Sequence, residues 1–312
     1  MPSVALQLVE ADHKIGQPFV VPAEVVEPVD YRQQALDGKD GKRKLGDNHR
    51  RAITNREMVF RDRAKLVHSA GTYDSRQSLI KEAENDKIGR WITKGRWRGL
   101  RIHTFTLEER ATCPVTCSHY RTCYGNSMRY AFRFKADEFL LNRLRADLKR
   151  LQAKYPKGFV VRLHVLGDFY SIEYVLFWRW ALATFPALKI YGYTHRWPGQ
   201  ADGIGDAIRL LRALAGDRFL IRFSDYPDEE FSALAQSIAP MSRAVVCPFQ
   251  TGRVANCAAC GICWESPLTV VFLDHDDHEK LVARWKDMSN KEILEALYGR
   301  EQIAITRKAE AA

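Results

Sequence analysis

The sequence predicts an α/β fold: parallel strands and helices in a partial βα barrel, with a basic N-terminal extension and a C-terminal cysteine-rich metal site. Three observations lead there. From about residue 99 short apolar, β-branched runs alternate with helical patterns, as βα units do. The seven cysteines fall in two short windows. Lys and Arg, 48 against 38 Asp and Glu for a net charge of +10, are concentrated in the first third. These shifts divide the chain into a basic region 1–98, a barrel core 99–246 and a cysteine-rich segment with the last strand and helix, 247–312.

Residues 1–40 carry Pro18, Pro22 and Pro28 between short apolar pieces and are expected to form an extended arm, and 41–90 to be partly helical and polar. Arg101 to Leu107 is the first expected strand. Leu140, Leu144, Leu148 and Leu151 then mark one face of a helix over 137–151. Phe159 to Leu166 is the second strand, ended by Gly167-Asp168-Phe169, after which Ser171 caps a helix. Further strands are expected at 188–193, 219–223, 244–246 and 268–273, with helices over 203–214 and 279–298. No apolar run reaches the roughly 18 residues of a membrane span, and the first ten residues lack a basic start followed by an apolar stretch, so a cytoplasmic protein without a membrane partner is expected.

An odd number of clustered cysteines in such a chain reads as metal ligands and not as disulfides. Cys113, Cys117 and Cys123 form a Cys-x3-Cys-x5-Cys loop. Three thiolates reach three corners of a [4Fe-4S] cluster and leave the fourth iron open; alternatively His119 completes a zinc tetrahedron with them. Cys247, Cys257, Cys260 and Cys263 provide four ligands for a closed site, either a second [4Fe-4S] cluster or a structural zinc.

In parallel βα architectures the βα loops gather at the C-terminal strand ends and build the site there. Asp168, beside Gly167, is a candidate to bind a cofactor amine, hold a substrate hydroxyl, or act as base or nucleophile. Thr194, His195 and Arg196 end the third strand, and Arg196 is expected to grip a carboxylate or phosphate. Ser224 and Asp225 end the fourth and suit a ribose or base edge. His164 is expected to be a core histidine, and Asp274 to His278 a solvated loop.

This layout resembles the radical S-adenosylmethionine superfamily, in which a partial βα barrel carries three cysteines after strand one and a Gly-acid pair after strand two. The sequence departs from that superfamily's commonest spacing by placing five residues before Cys123, and has Gly167-Asp168-Phe169 where a Gly-Gly-Glu-Pro segment is usual. The cysteine loop ending in Cys123-Tyr124, the run Leu163 to Ser171 with Glu173-Tyr174, Tyr191-Gly192-Tyr193-Thr194 and Cys257 to Trp264 are similar to an uncharacterised phage-encoded family, gene product 88. That resemblance implies a viral or prophage origin.

The expected function is an iron–sulfur enzyme, radical S-adenosylmethionine-like, acting on nucleic acid or a nucleotide. Gly167, Asp168, Thr194, Arg196 and Ser224 would meet the cofactor, with Asp168 and Asp225 as catalytic candidates. One alternative is zinc-containing base exchange of the guanine transglycosylase kind, with Asp168 or Asp225 attacking the sugar carbon. Another is a nucleic-acid-binding protein with structural metal only. The basic runs between Lys42 and Lys65 and between Lys87 and Arg101, the latter with Trp91 and Trp97, suit phosphate neutralisation and base stacking.

Overall fold

The computed structural model describes residues 67–300, apart from 110, 121–122, 124, 126–127, 129–130, 228–230 and 275–277. The arm at 1–40 and the basic run 42–65 lie outside these residues. The strands are β1 (Val67–His68), β2 (Lys81–Glu82), β3 (Arg101–Thr104), β4 (Arg133–Phe134), β5 (Phe159–Leu163), β6 (Leu188–Thr194), β7 (Phe219–Ser224), β8 (Ser232–Ala235), β9 (Ala244–Val246) and β10 (Thr269–Phe272). The helices are α1 (Leu140–Lys154), α2 (Ile172–Thr184), α3 (Ile204–Ala215), α4 (Cys257–Cys260), α5 (Ile262–Glu265), α6 (His278–Trp285) and α7 (Asn290–Tyr298).

Eight strands form one sheet in the order β2-β3-β5-β6-β7-β8-β10-β9. Every neighbouring pair is parallel except β2 with β3. The sheet is open, with β2 and β9 as its edges, so the parallel sheet is as expected while a closed barrel is not formed. The strand at 244–246 lies at that edge because β10 inserts between it and β8, a strand the sequence reading passed over. β10 belongs to the cysteine-rich segment, which therefore shares the sheet of the core.

Alternation along the strands gives the sheet two faces. Phe159, Val161, Leu163, Leu188, Ile190, Phe219 and Ile221 pack under α1, α2 and α3. Ile102, Val160, Tyr191, Leu220 and Val270 point the other way, where Trp97, Ala258, Cys263 and Trp264 cover them. One face thus carries helices and the other carries the second cysteine segment.

Helix α2 starts where Ser171 accepts a hydrogen bond from the Tyr174 N–H. Helix α1 begins three residues later than expected because Asp137 makes a local turn, its carboxylate accepting from the Phe139 N–H at 3.2 Å. Its buried Asp147 accepts from the Leu79 and Ile80 N–H groups at 2.6 and 3.0 Å and so fixes the approach to β2.

The described part of the expected helical stretch 41–90 is instead turns and short strands. Its Asp74 and Asn85 side chains accept from the Arg76 and Lys87 N–H groups, turning the chain where a helix would have to run. At the far edge Asn290, at the start of α7, accepts from the Val246 N–H at 2.8 Å and donates to the Ala244 carbonyl at 3.0 Å.

Candidate functional site

The first cysteine loop is fastened to the C-terminal ends of the central strands. Gly167, in the loop after β5, has φ +84°, and a Cβ there would lie 2.5 Å from Leu107 Cβ and 2.8 Å from Thr112 Oγ1, so only glycine lets the two segments meet. Asp168 follows, its N–H donating to Thr112 Oγ1 at 3.1 Å. Its carboxylate accepts from the Thr194 hydroxyl at 2.7 Å, the His195 N–H at 2.8 Å and its neighbour's Phe169 N–H at 2.7 Å. Burial pushes the Asp168 carboxyl pKa up, against the pull of Arg196, Thr194 and His195.

Arg196, expected to meet an anion, directs its buried guanidinium inward. It donates to the Phe169 carbonyl at 2.9 Å, the Thr112 carbonyl at 3.0 Å and Asp202 at 2.8 Å. Thr112 is thus held from two strand ends, immediately before Cys113.

Asp225, at the end of β7, is the hub of the rim. The Ser118 hydroxyl donates to its Oδ2 at 2.5 Å, and the imidazole nitrogens of His195 and His119 stand 3.4 and 3.6 Å from the same oxygen. Burial opposes ionisation of Asp225, but His195, Ser118 and the Ala235 N–H together hold its pKa down at about 2. Burial likewise opposes charge on His195, yet hydrogen bonds to Asp225 and to the Cys117 thiol raise it to about 10. Neighbouring Ser224 gives its carbonyl to Trp197 Nε1 at 2.8 Å. His119, the candidate fourth zinc ligand, is half exposed and turned to Asp225.

Behind Cys123 lies a buried ion pair. Arg133 donates to Glu109 at 2.6 and 3.2 Å and to the carbonyls of Gly125, Met128 and Ala131, clamping the chain that leaves the third cysteine. The Gly125 N–H points at Cys123 Sγ from 3.4 Å.

The second group is built into the sheet's other face. Asn256 caps α4 by accepting from the Ala259 N–H, and the Cys257 and Ala258 N–H groups donate to the Lys87 and Ile88 carbonyls at 2.8 and 2.9 Å. Arg222 of β7 donates to five carbonyls, those of Ser232, Ile262, Cys263, Ser266 and Leu268. Trp264 stacks on Trp97 with 5.7 Å between ring centroids, and Glu265 accepts from Arg96. The Tyr193 hydroxyl donates to Cys263 Sγ at 3.0 Å.

Burial pushes the Cys247 thiol up to about 12, with the Cys263 and Cys257 thiolates adding to it, and the Cys257 thiol up to about 11, with Cys263 adding. Cys260 rises for the same reasons. Lys87 and Arg162 face these sulfurs and offset part of the repulsion. Burial and these neighbouring sulfurs thus oppose ionisation of Cys247, Cys257 and Cys260.

None of the seven thiols is in a disulfide. Among the described residues no group of three or more His, Cys, Asp or Glu closes around a single metal ion. The seven sulfurs, three in one segment of the sequence and four in another, are of the soft donor type that iron–sulfur clusters and zinc take.

His164 is the core histidine expected, bonded to the Tyr174 hydroxyl at 2.9 Å. Of the loop at 274–278, Asp274 accepts from Gln236 at 2.5 Å and His278 stacks on Phe249. Trp97 is 1% exposed and belongs to the core, which removes it from any stacking platform, whereas Trp91 is exposed beside Arg101.

Ser118, Tyr193, Arg133 and Arg222 were not singled out from the sequence. Arg222 had a signal, since it interrupts the otherwise apolar run Phe219-Leu220-Ile221-Arg222-Phe223, as Arg162 interrupts β5, and a charge inside a buried parallel strand needs partners. Comparison with protein-family profiles, curated proteins and solved structures finds no match.

Proposed function

We propose that this chain is an iron–sulfur enzyme, radical S-adenosylmethionine-like, that acts on a nucleic acid or nucleotide. The observation that carries the reading is the fastening of the Cys113–Cys123 loop to three strand ends, through Thr112 to Asp168 and Arg196, Cys117 to His195, and Ser118 to Asp225. Cys117 and the carboxylate of Asp225 therefore meet at one rim, with Cys113 directly after the anchored Thr112.

Cys113, Cys117 and Cys123 would hold a cluster with one open iron, which supplies single electrons and a binding point for S-adenosylmethionine. Asp168 aligns the end of β6 through Thr194 and the His195 N–H. Asp225 keeps a negative charge at the rim and orients Ser118 and both histidines. Arg196 braces the root of the cysteine loop. Cys247, Cys257, Cys260 and Cys263 would hold a second cluster, enclosed by the core. The net charge of +10 favours an anionic substrate. Part of the basic run at 87–101 is engaged internally, Lys87 with the thiols, Arg96 with Glu265 and Arg101 with Glu82.

Anaerobic purification followed by iron, sulfide and zinc analysis and visible absorbance tests the metal. Iron and sulfide in both cysteine groups are expected, and zinc alone would overturn the reading. Equilibrium binding of S-adenosylmethionine to the iron-loaded protein, and of DNA and RNA at two salt concentrations, tests cofactor and substrate. Binding that weakens steeply with salt is expected for a phosphate-rich partner, and no binding at low salt would exclude it.

A further inference from the structure

We infer that the open cleft at the start of β7, walled by Arg96, Arg209, Arg212 and Phe231, is a binding site for a phosphate group of a nucleotide or nucleic-acid strand. The inference rests on the anionic-substrate part of the reading above and is independent of what the cysteines hold. It adds a phosphate contact at the opposite end of β7 from Asp225.

The cleft has a volume of about 630 Å3. Arg209, Arg212, Ala213 and Gly216 line it from one face of α3 and the residue that follows, with the three- and four-residue spacing of neighbours on a helix surface. Leu220 lines it from β7. Arg96 comes from a distant segment and is held by Glu265, which accepts from its backbone N–H at 2.8 Å and its Nε at 3.1 Å. A Cβ on Gly216 would meet nothing within 4 Å, and Arg209 and Ala213 are exposed, so the helix side of the cleft stands open to a ligand.

Phe231 gathers positive charge at this wall. Its backbone has φ +61°, a region that a bulky residue rarely adopts, and is held there by its N–H donating to the Pro267 carbonyl at 2.8 Å and its carbonyl accepting from the Phe223 N–H at 3.2 Å. The ring takes two guanidinium groups, Arg212 at 5.2 Å and Arg222 at 5.3 Å from its centroid. Arg212 is fixed further by lying over Phe223 at 5.1 Å and donating to the Ile221 carbonyl at 3.1 Å. Like charges assembled on one ring repel, and a concave wall concentrates their field. Among the described lining residues the sole acid is Asp217, which also faces Lys189. Guanidinium forks converging on one open volume match the several oxygens of a phosphate, which accept paired donors.

The test uses the full chain as purified, in four forms: wild type, Arg209→Gln, Ala213→Glu, and Lys149→Gln as a control on the exposed side of α1. Binding of a nucleoside triphosphate and of a short single-stranded oligonucleotide is measured at two salt concentrations. Arg209→Gln should weaken binding about tenfold, the loss of one charge-assisted hydrogen bond, and should reduce the salt slope by about 1. Ala213→Glu, which brings a carboxylate to the cleft and removes no contact of an arginine, should weaken it at least as much. Lys149→Gln should bind as wild type does. A response with the triphosphate alone identifies a free nucleotide as the source of the phosphate, and one with the oligonucleotide alone a strand; either sustains the site. Wild-type affinity in both cleft variants overturns the inference while leaving the anionic substrate in place elsewhere, and an equal loss in Lys149→Gln overturns it in favour of diffuse surface charge. No binding of either probe to wild type at low salt overturns the anionic-substrate reading together with the site. If Arg209→Gln does not fold, Ala213→Glu decides in its place.

Discussion

The first cysteine group hangs from the rim of the sheet, whereas the second is driven into its face. Cys113, Cys117 and Cys123 are all half-buried, and their loop is tied down by side chains reaching from strand ends, Asp168, Arg196 and Asp225. Cys247 and Cys263 are buried, and their segment is held by backbone hydrogen bonds to Lys87 and Ile88, by the five bonds of Arg222 and by a tryptophan stack. The rim is arranged so that something can reach its sulfurs. On the face, Cys247 and Cys263 are part of the core.

Arg222→Met should break the second region most severely. It strands five carbonyls in the core at about 1–3 kcal/mol for each group left unsatisfied, although relaxation makes a loss of about 4 kcal/mol the realistic scale. Urea denaturation would measure it, and a loss under about 1 kcal/mol would mean that the clamp is dispensable. Next in size is the contrast between the cysteine sets. On the proposed metal reading, alanine at Cys257 or Cys260 should lower the stability of the protein purified with its metal by several kcal/mol, since a closed site contributes folding energy. Alanine at Cys113 or Cys117 should empty one centre and change stability by about 1 kcal/mol or less, the scale of a change away from the packed core. Equal losses in both sets would erase the distinction.

The scaffold between the two groups has its own signature in acid. Burial lowers the pKa of His103 to about 4 and of His164 to about 3. Both stay neutral in the fold down to those values, while in the unfolded chain they gain protons below about pH 6.5. The unfolded state then binds more protons, so this contribution is fully present above about pH 6.5 and is lost as pH falls towards 4. Each histidine should cost about 1.4 kcal/mol per pH unit across that window. Denaturation midpoints of metal-free protein at several pH values would check the slope, and His103→Gln should flatten it. A similarly small effect is expected of Ser171→Ala, which removes the cap of α2 and should cost about 1 kcal/mol in a thermal melt.

The parallel strands β5, β6 and β7 were legible because each is a short, nearly continuous apolar run ended by a polar cluster, and their C-terminal ends named Asp168, Thr194 and Asp225. Strand β8, Ser232-Ala233-Leu234-Ala235, was not, since it has neither a β-branched nor an aromatic residue and gains its place by pairing with β7 on one side and β10 on the other. The covering of the sheet's second face was equally hidden. It depends on Trp97 meeting Trp264 and Lys87 meeting Cys257, contacts between distant parts of the chain that no local period records. Within the basic, aromatic stretch 87–101, Lys87, Arg96 and Trp97 meet the second cysteine segment for that reason, while Trp91 stays exposed.

Asn290 imitates a further strand with a single side chain, its amide offering the outer edge of β9 one donor and one acceptor. Unpaired strand edges are templates on which other chains add themselves and aggregate. With β9 answered in this way, the outward Val246 N–H and Ala244 carbonyl are already engaged and give an added strand no free pair at that edge.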